Sequence, residues 1–166
     1  MNKIIITIIL IAIGITGLMW WGKSIQKTTA ISGADGVASI LVASEKLYDF
    51  GTISMANGIV EGAFKITNPT TQDITISRVE TSCMCTVAYI ESEDGEKGPF
   101  GMPGHGGPVA TRTNEVIKAG ESLDIKVVYD PNAHGPAGVG SIIREIYLTD
   151  NAGRILTLNI KAMVTP

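Results

Sequence analysis

Leu156-Thr157-Leu158-Asn159-Ile160-Lys161-Ala162-Met163-Val164 carries the pattern that decides the fold. Leu156, Leu158, Ile160, Ala162 and Val164 share one parity, while Thr157, Asn159 and Lys161 hold the other. Successive side chains of a strand point to opposite faces, so a spacing of two predicts a strand with one face in a core. The same reading extends upstream. Leu123, Ile125, Val127 and Tyr129 alternate with Asp124 and Lys126, and in Ile59–Ile66 the residues Val60, Phe64 and Ile66 oppose Glu61 and Lys65.

Turn chemistry separates these runs: Asn68-Pro69-Thr70, Lys118-Ala119-Gly120-Glu121, Asp130-Pro131-Asn132 and Asp150-Asn151-Ala152-Gly153. No stretch after residue 45 shows a helical stripe of apolar residues. Short strands with turns between them predict an all-β domain over residues 45–166, a β-sandwich of immunoglobulin-like type. Phe50, Phe64 and Tyr129 join its aliphatic core, because both tryptophans lie near the N-terminus.

That N-terminus reads differently. Residues 4–21 contain no charge and end in Trp20-Trp21. At about 1.5 Å per residue such a helix covers roughly 27 Å, close to the hydrocarbon thickness of a bilayer. The apolar run exceeds that of a signal peptide and lacks small residues at its end, so residues 1–27 are expected to form an uncleaved single-pass anchor with its flanks. Residues 28–44, small and weakly patterned, read as a tether. Lys3 on one side is balanced by Lys23 and Lys27 on the other, which leaves orientation nearly unwritten. The short, positively charged start resembles an export signal. The domain is therefore expected beyond the cytoplasmic membrane, in the periplasm or at the cell exterior.

Ten Lys/Arg and 16 Asp/Glu follow Lys27, a formal charge of −6 on the exported part. Such acidity argues against nucleic acid and anionic lipid surfaces as partners. No Gly-rich phosphate loop opens a helix, and Gly-X-Ser-X-Gly and His-Glu-X-X-His are both missing. The carboxylates Glu91, Glu93, Asp94 and Glu96 lack the spacing of a calcium loop and read as a solvated loop.

Five segments then carry a family likeness: Asp49-Phe50-Gly51-Thr52-Ile53, Phe64-Lys65-Ile66-Thr67-Asn68, Thr81-Ser82-Cys83-Met84-Cys85-Thr86, Tyr129-Asp130-Pro131 and Ile146-Tyr147-Leu148-Thr149-Asp150-Asn151. In this order they resemble the bacterial domain-of-unknown-function 1573 family, from about Leu47 to Val164. The resemblance implies an immunoglobulin-like, exported domain and no defined activity. Two departures stand out. Met84 occupies the place where that family usually has Gly, and a long insertion runs from about Glu91 to Asn114.

Cys83 and Cys85 are the only cysteines, and chemistry concentrates on them. In an extended strand, residues i and i+2 stand about 6.5–7 Å apart at Cα, at the edge of what a disulfide spans. A bridge between them needs a local turn, and strain there would make it labile. Two thiolates on one face can instead clasp a soft ion, Cu(I) ahead of Zn(II). Met102 and His105, on the Gly/Pro-rich stretch Gly98–Pro108, are the candidate further ligands. The other histidine, His134, reads as a turn residue. A packing pair, a Cys83–Cys85 disulfide and a metal site all remain open.

These readings lead to one expectation with two alternatives. The chain is expected to be a non-enzymatic, membrane-anchored interaction module that meets another envelope protein. The alternatives are a Cu(I)-binding or copper-transfer protein, with Cys83, Cys85, Met102 and His105 as ligands, and a thiol-disulfide protein using the same cysteines.

Overall fold

The computed structural model describes residues 38–104 and 110–166. The expected anchor (1–27), most of the tether and His105 lie outside the described residues. Among the described residues no helix is long and apolar enough to cross a membrane.

Ten strands make up the fold. They are β1 (Val42–Ala43), β2 (Leu47–Ser54), β3 (Val60–Thr67), β4 (Ile74–Thr81), β5 (Thr86–Ser92), β6 (Gly95–Phe100), β7 (Arg112–Ile117), β8 (Ser122–Tyr129), β9 (Gly140–Asp150) and β10 (Ile155–Thr165). One sheet has the order β1-β3-β8-β5-β6 and the other β2-β10-β9-β4-β7. All pairings are antiparallel except β10 with β2. The two-sheet, all-β arrangement is that of a β-sandwich and is compatible with an immunoglobulin-like fold.

Alternation puts the core where the sequence predicts it. Leu156, Leu158, Ile160, Ala162 and Val164 of β10 are all buried, as are Leu123, Ile125, Val127 and Tyr129 of β8. Phe64 and Ile66 of β3 face them, but Val60 is only partly covered, because it stands at the strand's open end. Burying a Leu, Ile or Phe side chain contributes about 1.5–3 kcal/mol, and this core is built from many.

Three details depart from the sequence reading. Pairing begins inside residues 28–44: Ala38 bridges Ile155, β1 pairs with β3, and Leu41 is buried. The insertion is structured as well, with β6 extending one sheet and β7 the other, and Phe100 and Ile117 reach the core. Finally, a bulge between Ile76 and Arg78 gives β4 one residue more than its partner β9 over that stretch. Ile74 and Ile76 face inward before it, Val79 and Thr81 after it. The Ser77 hydroxyl bonds the carbonyls of Thr149 and Asp150 at 3.1 and 3.0 Å, which fixes the bulge against β9. Odd-numbered residues therefore face the core as the chain approaches Cys83.

Candidate functional site

The cysteines lie in the connection from β4 to β5, at one end of the sandwich. Hydrogen bonds hold this connection as a tight turn rather than an extended strand. The Thr86 N–H donates to the Cys83 carbonyl at 3.1 Å, closing a four-residue turn. The Thr81 hydroxyl sits 3.1 and 2.9 Å from the carbonyl oxygens of Cys83 and Thr86. Ser82 is pinned to β9, its N–H donating to the Glu145 carbonyl and its hydroxyl accepting from the Glu145 N–H, both at 2.9 Å. The Cys85 carbonyl accepts from the Asp130 N–H at 2.9 Å.

The turn brings the two Cα atoms to 5.3 Å, and Cys83 and Cys85 are joined as a disulfide. The local turn that a Cys-X-Cys bridge requires is thus present. Cys85 is buried at 3% exposure and packs in the core, Cys83 is half buried, and Met84 between them is 53% exposed.

Each sulfur has a nitrogen neighbour from a distant part of the chain. His134 Nε2 lies 3.0 Å from Cys83 Sγ. Arg144 Nε donates to Cys85 Sγ at 3.3 Å, and the Thr86 hydroxyl stands 3.6 Å from the same sulfur. The ligand atoms of Cys83, Cys85 and His134 all lie within 4.8 Å of one another.

His134 is delivered by the β8–β9 connection. The Asp130 carboxylate accepts from the Asn132 N–H at 2.8 Å, Gly135 N–H donates to the Asn132 carbonyl at 2.9 Å, and a short 3-10 turn follows over Gly135–Gly138. Gly138 allows the loop to close. A Cβ there would lie 3.1 Å from the Pro131 carbonyl oxygen and 3.6 Å from His134 Cβ. Arg144 arrives differently. In β9 it shares the inward parity of Ile142, Ile146 and Leu148, so its charge is aimed toward the space between the sheets and ends on Cys85. The same guanidinium opposes the upward push that burial gives the Tyr129 phenol.

The structure places some of the candidate residues named from the sequence and adds others beside them. Cys83 and Cys85 come together, and among the described residues their histidine neighbour is His134. That residue does stand in a turn, as predicted, but the turn carries it to the sulfur. Met102 lies half buried just beyond β6, and His105 is outside the described residues. Arg144 was missed, although a charge at an inward position of an alternating strand was a signal for it. The acidic stretch is more ordered than a solvated loop. Glu91 and Glu96 flank the β5–β6 turn and both pair with Lys126, which lies 4.8 Å over the Tyr89 ring. The Glu96 carboxylate, by its hydrogen bond, holds the Lys126 ammonium above its usual range. At this opposite end of the sandwich, Glu93, Asp94, Glu115 and Lys118 line a cleft of about 320 Å³.

Among solved structures, the chain is similar to a protein of unknown function from Porphyromonas gingivalis W83, at 17% identity and a TM-score of 0.53, over 78% of this chain and 49% of that one. It also resembles part of the secreted serine protease VesC from Vibrio cholerae, at 13% identity and a TM-score of 0.46, over 76% of this chain and 24% of that one. The chain thus spans about half the length of the first and about a quarter of the second. The first likeness shows the fold alone. No curated protein matches the chain in sequence. Residues 41–101, which include both cysteines but neither His134 nor Arg144, match the family described as "Protein of unknown function (DUF1573)".

Proposed function

We propose that the chain is a membrane-anchored, extracytoplasmic interaction module, without catalytic activity, that docks on another envelope protein through the loop end of its sandwich. The observation that carries this reading is Met84. It sits at the tip of a turn closed by a disulfide and is 53% exposed, so a flexible apolar side chain is displayed on a rigid mount. Ile59 and Val139, at the same end, are 59% and 44% exposed. A fixed backbone removes the loop-ordering cost of binding, and the adaptable thioether chain can fill an apolar pocket on a partner. The uncharged segment 4–21 supports membrane anchoring, and the acidity of the domain argues against anionic lipid as the surface it docks on.

Site-specific photocrosslinking from position 84 in intact cells tests the proposal. The expected result is an adduct with an envelope protein that is lost when a charge replaces Ile59. If position 84 gives no adduct, the reading is wrong. A reporter fused after Pro166 should be active only outside the cytoplasm.

A second reading is favoured by the nitrogens on the two sulfurs: a thiol-disulfide couple working with an external dithiol. The external thiolate attacks Cys83 Sγ, the less buried sulfur, and the S–S bond breaks. Cys85 departs as a thiolate beside Arg144, whose cation stabilises it. The partner's second thiol then attacks the mixed disulfide, leaving two thiols here and a disulfide on the partner. Equilibration with glutathione should give a potential above about −250 mV, and a value below about −300 mV would mark an ordinary structural bridge.

A further inference from the structure

Thiolates and imidazole are the donors that soft metal ions select, and here three of them converge. We propose that, once the disulfide is reduced, Cys83, Cys85 and His134 hold a single Cu(I) ion. The inference rests on the thiol-disulfide reading to the extent that the pair must be reducible.

Distance is the first argument. Donors bound to one ion at about 2.0–2.3 Å stand roughly 3.5–4 Å from each other. The two Sγ atoms and a ring nitrogen of His134 already lie within 4.8 Å, and Nε2 is 3.0 Å from Cys83 Sγ. Only small side-chain rotations are needed. The backbone keeps this geometry without the S–S bond, because Thr81, Thr86, Ser82 and Asp130 fix the turn through hydrogen bonds independent of sulfur.

Charge is the second. Two thiolates bring −2 and Arg144, 3.3 Å from Cys85 Sγ, brings +1. A monovalent ion makes the cluster neutral, whereas a divalent ion leaves it at +1 beside a cysteine that is 3% exposed. An uncompensated charge at a buried position is costly, so Arg144 selects Cu(I) over Zn(II). Coordination number points the same way. Among the described residues no fourth His, Cys, Asp or Glu joins the group, and a closed zinc site uses four ligands. Access is open, since His134 and Met84 are exposed while Cys85 is not.

The chemistry balances with a dithiol as reductant. The disulfide accepts two electrons and two protons while the dithiol closes to its own disulfide. Cu(I) then displaces the two thiol protons, and no oxidation state of the metal changes.

The test uses the full chain in detergent, reduced with a dithiol, freed of reductant under nitrogen and assayed for thiols. Bathocuproine disulfonate then competes for Cu(I). Two thiols and retention of one Cu(I) per chain are expected, with two sulfurs and one nitrogen in the X-ray absorption spectrum of the metal. Cys83→Ser should abolish retention. His134→Ala, at an exposed position outside the core, should weaken it at least tenfold, and Arg144→Gln should narrow the preference for Cu(I) over Zn(II) about tenfold. Two free thiols without retained Cu(I), a spectrum lacking nitrogen, or a His134→Ala variant that binds like the parent overturns the site and leaves the thiol-disulfide reading intact. A pair that cannot be reduced overturns both.

Discussion

Arg144 Nε donates to Cys85 Sγ at 3.3 Å from a strand position whose neighbours on the same face, Ile142 and Ile146, are buried. A cation so placed favours the reduced, anionic form of the sulfur over the disulfide. Replacing Arg144 with Gln should therefore make the couple harder to reduce. A tenfold change in the redox equilibrium corresponds to about 30 mV, and a shift of that size to more negative potential is expected in glutathione titrations. An unchanged potential would mean that the contact has no influence on the couple.

Asn68 gives a prediction about stability. Its side chain is fully buried, and all its polar capacity is used. Nδ2 donates to the carbonyls of Gln72 and Ile117 at 2.7 and 2.9 Å, and Oδ1 accepts from the N–H and hydroxyl of Thr70 at 3.0 and 2.7 Å. Asn68→Asp is nearly isosteric but points a carboxylate oxygen at two carbonyls. It should destabilise the domain by about 3–5 kcal/mol, more than Asn68→Ala at about 2–3 kcal/mol. Urea unfolding distinguishes this order from its reverse.

Asp150 closes the β9–β10 hairpin with a buried charge. Its carboxylate accepts from the N–H groups of Ala152 and Arg154 at 2.9 Å each and from Arg154 Nε at 2.7 Å. Asp150→Ala should cost about 3–5 kcal/mol, because donors are left unpaired and the guanidinium loses its partner. Asp150→Asn retains one acceptor oxygen for the turn and should cost about half as much. If thermal unfolding finds the two variants equal, the charge rather than the turn geometry carries the effect.

Alkaline pH tests Tyr147. Burial, followed by its hydrogen bond to the Glu145 carboxylate, pushes this phenol from 10.0 up to about 12. The folded state thus prefers the protonated form. The resulting stabilisation is complete below about pH 10 and is lost as pH rises through 12. Phenolate absorbance should show Tyr147 titrating late, and Tyr147→Phe should remove that late component and flatten the alkaline fall in melting temperature. Tyr147 titrating in the ordinary range would refute this.

Strands that alternate without interruption were legible because burial on one face imposes a period of two. Leu123–Tyr129 and Leu156–Val164 lie as their spacing requires. In β6, Gly95-Glu96-Lys97-Gly98-Pro99-Phe100 has no such period, since most of the edge strand is exposed and only its last residue meets the core. The insertion therefore looked structureless. Likewise, Leu41 and Ala43 contribute too short a run to register as a strand. At the site, adjacency in sequence revealed the cysteine pair but not its companions. His134 is 51 residues from Cys83 and Arg144 is 59 from Cys85, so only the fold joins them. Met102 and His105 were named because a Gly/Pro-rich stretch carries them, and loop composition does not determine which side chains meet in space.

The place of β10 has a consequence for the order of folding. It comes last in chain order among the ten described strands, yet it lies between β2 and β9 and pairs with both. Until it emerges, a nascent chain holds two unsatisfied strand edges and an apolar face with nothing to cover it. The sheet therefore cannot assemble strand by strand in chain order. Closure of the sheet waits on residues 155–165, so the step that completes this fold is the insertion of one strand between two others already in place.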